Sequence, residues 1–300
     1  MRIGFTLPQM GTLAHHAAGA GRFAREAEAL GADSLWVSDR LLSPVRPAIG
    51  YGGGIGFPKE FNAVLDPLTV LTVAAASTER ALLGSNVLAA PWYQPVLFAR
   101  TLTSLDLVSG GRLIPGLGTG WSPDEFRAVG VPIEERGARL DETLDVLDAW
   151  WSTNPVAHEG PYVSLPPTHV DLKPVRRPRP PIHLGGWAPA ALRRVARRAD
   201  GWLPVLSPRG GYYDPASVNG PLREIRRIAA EEGRDPSEIG AILRFIPTRV
   251  TTVEEVAEAI GLTRRETDID HVFVDLMWLS KDIDHSLELV RSVLDLARED

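Results

Sequence analysis

The sequence predicts an α/β fold of the (β/α)8 TIM-barrel type, with a proline-rich insertion after the fourth helix. Three observations lead there. Short apolar runs alternate with longer helical patterns, and strands alternating with helices give a parallel sheet. Eight such units fit into 300 residues, a usual length for this barrel. The alternation breaks once, where Pro155–Pro181 holds 8 prolines in 27 residues.

Arg2–Leu7 (RIGFTL) reads as the first strand. A helix follows over Ala17–Leu30, and Gly31 stands in the C-cap position. Ser34–Ser38 (SLWVS) is the second strand. Asp66 and Pro67 open the second helix as N-cap and first helical residue. The connection before it, Leu41–Leu65, contains Gly52-Gly53-Gly54 and Gly56. A loop that long is usually a lid or a substrate loop. Leu82–Ala89 is the third strand, Gln94–Val108 the third helix, Arg112–Leu117 the fourth strand and Glu134–Trp151 the fourth helix. The prolines of 155–181 forbid a central strand or a helix. That segment is expected outside the barrel, with a short hairpin near Tyr162–Leu165. Strands five to eight follow at Pro181–Gly185, Gly201–Val205, Ile239–Val250 and His271–Leu276. The helices between and after them are Pro189–Ala199, Pro221–Glu232, Val253–Glu266 and His285–Arg298. Residues 1–300 are expected to form one domain.

Composition removes several functions. The net charge of −6 lacks the basic footprint that nucleic acid requires. With no cysteine there is no disulfide, no thiolate metal site and no cysteine nucleophile. The opening MRIGFTLPQMG is too short for a signal h-region, and the longest apolar run, Leu68–Ala76, falls far below the roughly 20 residues of a membrane span. A cytoplasmic protein without a membrane partner is expected. Neither H-E-x-x-H nor G-x-S-x-G occurs, and H-x-H is missing after the first strand.

In such barrels chemistry sits where strands end and loops begin. Asp39-Arg40 lies at the end of the second strand, and Asn86–Pro91 at the end of the third. Gly116-x-Gly118-x-Gly120 leaves the fourth, where glycines let a ligand lie against the backbone. It is no dinucleotide fingerprint, because Trp121 stands where helix packing needs glycine. Gly185-Gly186-Trp187 leaves the fifth strand just before a helix N-terminus, which is either a phosphate cradle or a tight turn. Arg249 and Asp275–Trp278 fall at later strand ends. Arg193, Arg194, Arg197 and Arg198 make a basic run, either a solvated face or a groove for an anionic tail.

Four of these segments in order carry a resemblance. SLWVSD, LDLVSGGRLIPGLGTGW, ERGARLDETLDVLDAWW and RPPIHLGGWAPAALRRVARRADGWLP together resemble the bacterial luciferase-like monooxygenase family. They look most like its coenzyme F420-dependent oxidoreductase branch. The resemblance implies a deazaflavin or flavin across the C-terminal mouth of the barrel. Its phosphate would rest on Gly185, Gly186 and Trp187, with Thr119 and Gly120 nearby. A non-prolyl cis peptide supporting the ring falls by position at Asn86-Val87. One departure matters. Several of these relatives carry aspartate-histidine after the second strand, whereas this chain has Asp39-Arg40. Arginine cannot act as a general base at neutral pH, so the proton-handling group is left open.

The expected activity is hydride transfer between reduced coenzyme F420 and a small organic substrate, with Asp39 and Arg40 as the catalytic candidates and no metal. The alternatives are an FMN-dependent monooxygenase and a non-catalytic flavin-binding homologue. A homodimer is implied, as is usual for the family.

Overall fold

The computed structural model describes residues 1–208 and 213–299. The chain order is β1 (Arg2–Thr6), α1 (Ala20–Leu30), β2 (Ser34–Val37), α2 (Pro67–Ser77), β3 (Leu82–Ser85), β4 (Leu88–Ala89), α3 (Pro95–Val108), β5 (Leu113–Ile114), β6 (Gly116–Gly118), α4 (Pro123–Ala128) and α5 (Arg136–Ser152). It continues with β7 (Val156–Glu159), β8 (Ser164–Thr168), β9 (His183–Gly185), α6 (Pro189–Arg198), β10 (Gly201–Leu203), β11 (Val205–Leu206), α7 (Ala216–Glu231), β12 (Gly240–Phe245), α8 (Val253–Glu266), β13 (His271–Val274) and α9 (Ile283–Glu299).

All pairings in the main sheet are parallel. The order runs β4-β6-β9-β10-β12-β13-β1-β2-β3-β5, with β11 also on β12. The sheet is therefore curled. Its two end strands, β4 and β5, belong to the same chain segments as β3 and β6. The hairpin β7–β8 pairs only with itself, so the start of the proline-rich stretch leaves the sheet.

Two apolar layers hold this arrangement. Leu and Ala residues of the helices pack on outward residues such as Ile3, Phe5, Leu35 and Val37. Inside the curl, Trp36, Ile114, Leu203, Ile242 and Phe273 form a second cluster, and the Trp36 and Phe273 rings stack at 4.4 Å. Period-2 alternation sorts each strand between the layers.

Several boundaries differ from expectation. The third strand breaks at Asn86-Val87, a cis peptide bond, into β3 and β4. The seventh ends at Phe245, not Val250, because Pro247 has no N–H for a further ladder bond. Helix α7 begins at Ala216, not Pro221, where the Asp214 carboxylate accepts from the Ala216 N–H. Helix α4, set between Ser122 and Val129, has no counterpart among the sequence expectations.

Both ends of the 41–65 loop meet at one side chain. The Gln9 amide nitrogen donates to the carbonyls of Ser38 (2.6 Å) and Leu65 (2.9 Å), and its oxygen accepts from Ser38 N–H. The Leu65 N–H donates in turn to the Gln9 carbonyl. Within the loop, short 3-10 turns cover Tyr51–Gly53 and Lys59–Asn62.

The glycines of β6 and β9 serve the protein's own packing. A Cβ at Gly118 would stand 2.5 Å from Val87 Cγ2, and one at Gly185 would stand 2.9 Å from Val87 Cγ1. A Cβ at Gly116 would overlap the Ser85 carbonyl oxygen. These glycine positions lack side chains so that the bent third strand can lie against them. Gly118→Ala should therefore cost about 2 kcal/mol of stability by overpacking, read as a lower urea midpoint. Adding Val87→Ala should recover most of it.

At the opposite end of the sheet lie two buried histidines. His271 Nε2 sits 2.7 Å from Ser34 Oγ. Burial pushes His183 down to about 4 and His271 down to about 3. Both are neutral in the fold, while the unfolded chain protonates them near 6.5. The unfolded state thus binds more protons below that pH. Stability should be full above about pH 6.5 and fall as the pH drops towards 4 and 3. Urea unfolding of the parent and His271→Gln between pH 4 and 8 checks this, with a flatter profile expected for the variant.

Candidate active site

The strand ends β2, β4, β6, β12 and β13 open on a cavity of about 220 Å³. Of the residues singled out in the sequence, Asp39, Arg40, Asn86, Val87, Ala89, Gly120, Asp275 and Met277 line it together. Thr119, Gly185, Gly186 and Trp187 are not among its lining residues. Gly185 lies directly behind Val87. Trp187 is 42% exposed and packs edge-on against Trp202, whose indole N–H donates to the Gly186 carbonyl.

Asp39 follows β2 and turns towards the third strand. Its Oδ2 accepts from the Ala89 N–H at 3.0 Å and from the Tyr93 hydroxyl at 2.9 Å. Burial pushes its carboxyl up to about 6, against those two hydrogen bonds. It can therefore exchange a proton near neutral pH.

Arg40 forms a buried ion pair with Glu125. Its side chain is 8% exposed and that of Glu125 is fully buried, with Nη1 and Oε2 2.7 Å apart. Burial pushes the Glu125 carboxyl up, opposed by the Arg40 charge. The rings of Phe57, Phe61 and Trp121 surround the same guanidinium.

Arg244 of β12 supplies the second cation. It pairs with the buried Asp275 at the end of β13. Its Nη1 donates to the Asn86 carbonyl at 2.9 Å, and Ser38 Oγ donates to the same carbonyl at 3.1 Å. The sequence pointed to Arg249 instead, which pairs with Glu60 of the loop and does not line the cavity.

Three buried donors of the cavity-lining residues have no partner among the described residues, Asn86 Nδ2, Arg244 Nε and Trp92 Nε1. A buried unsatisfied donor is costly and usually awaits an acceptor. A flavin or deazaflavin ring presents carbonyl oxygens along one edge, so the donor set fits that group. Of the two readings of the basic run on α6, the groove for an anionic tail fits less well than the solvated face. Arg194 pairs with Asp141, Arg197 with Glu232, and Arg198 with Asp145.

The profile of luciferase-like monooxygenases matches residues 1–277. The chain belongs to the luciferase-like monooxygenase family. This luciferase-like chain is 32% identical over 244 residues to the phthiodiolone/phenolphthiodiolone dimycocerosates ketoreductase of Mycobacterium tuberculosis, covering 78% of the chain and 62% of that relative's length. Among solved structures it is similar to monooxygenase RslO1 from Streptomyces bottropensis, with TM-score 0.80, 22% identity and coverage of 100% and 99%. It is also similar to an F420-dependent secondary alcohol dehydrogenase in complex with an F420-acetone adduct, with TM-score 0.73, 17% identity and coverage of 97% and 98%.

Ser38, Glu125, Arg244 and Asp275 also line the cavity as polar residues. Arg244→Met should leave the Asp275 carboxylate buried and unpaired. A stability loss of roughly 3–5 kcal/mol is expected, and Arg244→Met/Asp275→Leu should be the more stable of the two variants in urea titration.

Proposed function

We propose that this luciferase-like chain is a deazaflavin-dependent oxidoreductase. It moves a hydride between reduced coenzyme F420 and a small organic substrate, at the mouth of a closed (β/α)8 barrel carrying an insertion over 155–181. The observation that carries the reading is the set of unpartnered buried donors in the cavity wall, above all Asn86 Nδ2 and Arg244 Nε. They would hold the acceptor edge of the ring. Thr119, Gly120, Gly185, Gly186 and Trp187 would take the phosphate end, since α6 opens at Pro189 with free N–H groups ahead of it.

Bound and reduced, the deazaflavin supplies a hydride. Everything else falls to the protein. The Val87 and Ala89 segment and the rings of Tyr51, Phe61, Trp92 and Trp121 exclude water from the cavity. Asp39 is the group that holds and delivers the proton a reduced carbonyl oxygen requires. One of its oxygens is fixed by Ala89 and Tyr93, which sets the direction of the other. Two of the similar proteins, a ketoreductase and a secondary alcohol dehydrogenase, act on the ketone and alcohol couple by name. That supports a ketone or secondary alcohol as the substrate class.

A second reading, an FMN-dependent monooxygenase, is favoured by the acidic partners of Arg194, Arg197 and Arg198, which leave α6 little charge for a polyanionic tail. Likeness to RslO1 points the same way. Titrating the protein with F420 and with FMN, and following ring fluorescence, separates the two. Saturable binding of F420 alone is expected; saturation by FMN alone would establish the second reading.

If Asp39 delivers the proton, ketone reduction should need its protonated form and slow as the pH rises through about 6. Asp39→Asn should lower the rate of reduced F420 oxidation by about a hundredfold or more and remove that inflection. An unchanged profile in Asp39→Asn would assign the proton elsewhere.

A further inference from the structure

Arg40 touches both walls of the cavity at once. Its Cζ lies 5.2 Å from the Phe57 ring centroid, 5.3 Å from Phe61 and 4.9 Å from Trp121. Phe57 and Phe61 belong to the 41–65 loop, whereas Trp121 and Glu125 belong to the exit of β6 and to α4. The Phe57 and Trp121 rings also touch each other, with centroids 5.5 Å apart.

The carboxylate partner extends the same joint. While Glu125 Oε2 takes the guanidinium, its Oε1 accepts from the Leu41 and Leu42 N–H groups at 2.8 and 3.1 Å. Next to it, Asp124 Oδ2 accepts from Ala48 N–H at 2.8 Å. The first part of the loop thus hangs from α4, and its later part is stacked on Arg40. A cation among ring faces in a dry setting is held more firmly than one in water. The planar fork of arginine can stack and pair at the same time, which a lysine ammonium cannot do.

We propose that Arg40 is a positioning residue. It fastens the 41–65 loop to Trp121 and Glu125 and so fixes the substrate-side wall of the cavity. The idea rests on reading that cavity as the cofactor and substrate site. With its charge already balanced by Glu125, Arg40 neither moves a proton nor neutralises an anionic substrate.

Hydrogen exchange by mass spectrometry tests this on the full chain, comparing the parent with Arg40→Met and Arg40→Lys. Arg40→Met should speed exchange over 41–65 by about tenfold or more and leave α2 unchanged. Arg40→Lys, which keeps the charge but not the planar fork, should restore only part of the protection. If Arg40→Met fails to fold because Glu125 is left unpaired, Arg40→Met/Glu125→Gln carries the same comparison. Unaltered exchange over 41–65 would overturn the proposal, as would equal acceleration in α2. Identical behaviour of the lysine and methionine variants would also overturn it, because the charge paired with Glu125 would then contribute nothing to holding the loop. Titration of the parent with F420 and FMN stands apart. If neither binds while Arg40→Met releases the loop, the fastening holds and the cofactor reading falls.

Discussion

Val87 can occupy its place only because Gly118 and Gly185 put nothing beneath it. This close approach of the bent third strand to its neighbours governs the cavity. The bend sets the Asn86 carbonyl where Ser38 and Arg244 both donate to it. It turns the Ala89 N–H towards Asp39. It also brings the Asn86 amide to the same wall as the Arg244 Nε atom. A larger residue at either glycine would displace all of these groups together, since packed interiors transmit small shifts rather than absorb them.

The charges at the mouth are arranged in pairs. Arg40 is balanced by Glu125 and Arg244 by Asp275, both largely out of water. Buried pairs of this kind add little net stability, yet losing one member is costly. Asp39 differs, because its partners are a backbone N–H and a neutral hydroxyl. Among the described residues no cation pairs with its carboxylate, so no ion pair offsets the burial that raises its proton affinity.

Much of the fold was legible. Hydrophobic period and the Asp66-Pro67 cap placed most strands and helices, and Asp66 does accept from Thr69 N–H. The cis bond at Asn86-Val87 followed from resemblance, not from any residue pattern. The alternating glycines of 116–120 were visible, but their meaning was not. The sequence suggested room for a ligand, and the structure fills that room at Gly116 and Gly118 with the chain's own third strand, while Gly120 alone of the three lines the cavity. Arg244 was missed although its signal was present. Counting by twos from the inward Ile242 reaches Arg244, just as Phe273 leads to Asp275. Overextending the seventh strand to Val250 drew attention to Arg249. Glu125 gave no such signal, because a tertiary partner 85 residues away leaves no local periodicity.

The clasp at Gln9 has a consequence for how this molecule can change. One amide and one backbone bond hold Ser38 and Leu65 together, so the loop between them starts and finishes at a single fixed point. The entropy of closing such a loop grows only slowly with its length. Residues between the two ends can be gained, lost or exchanged while the strands keep their register. The chain thus carries an interchangeable cassette on a constant frame, one that can be altered without refashioning the curled sheet.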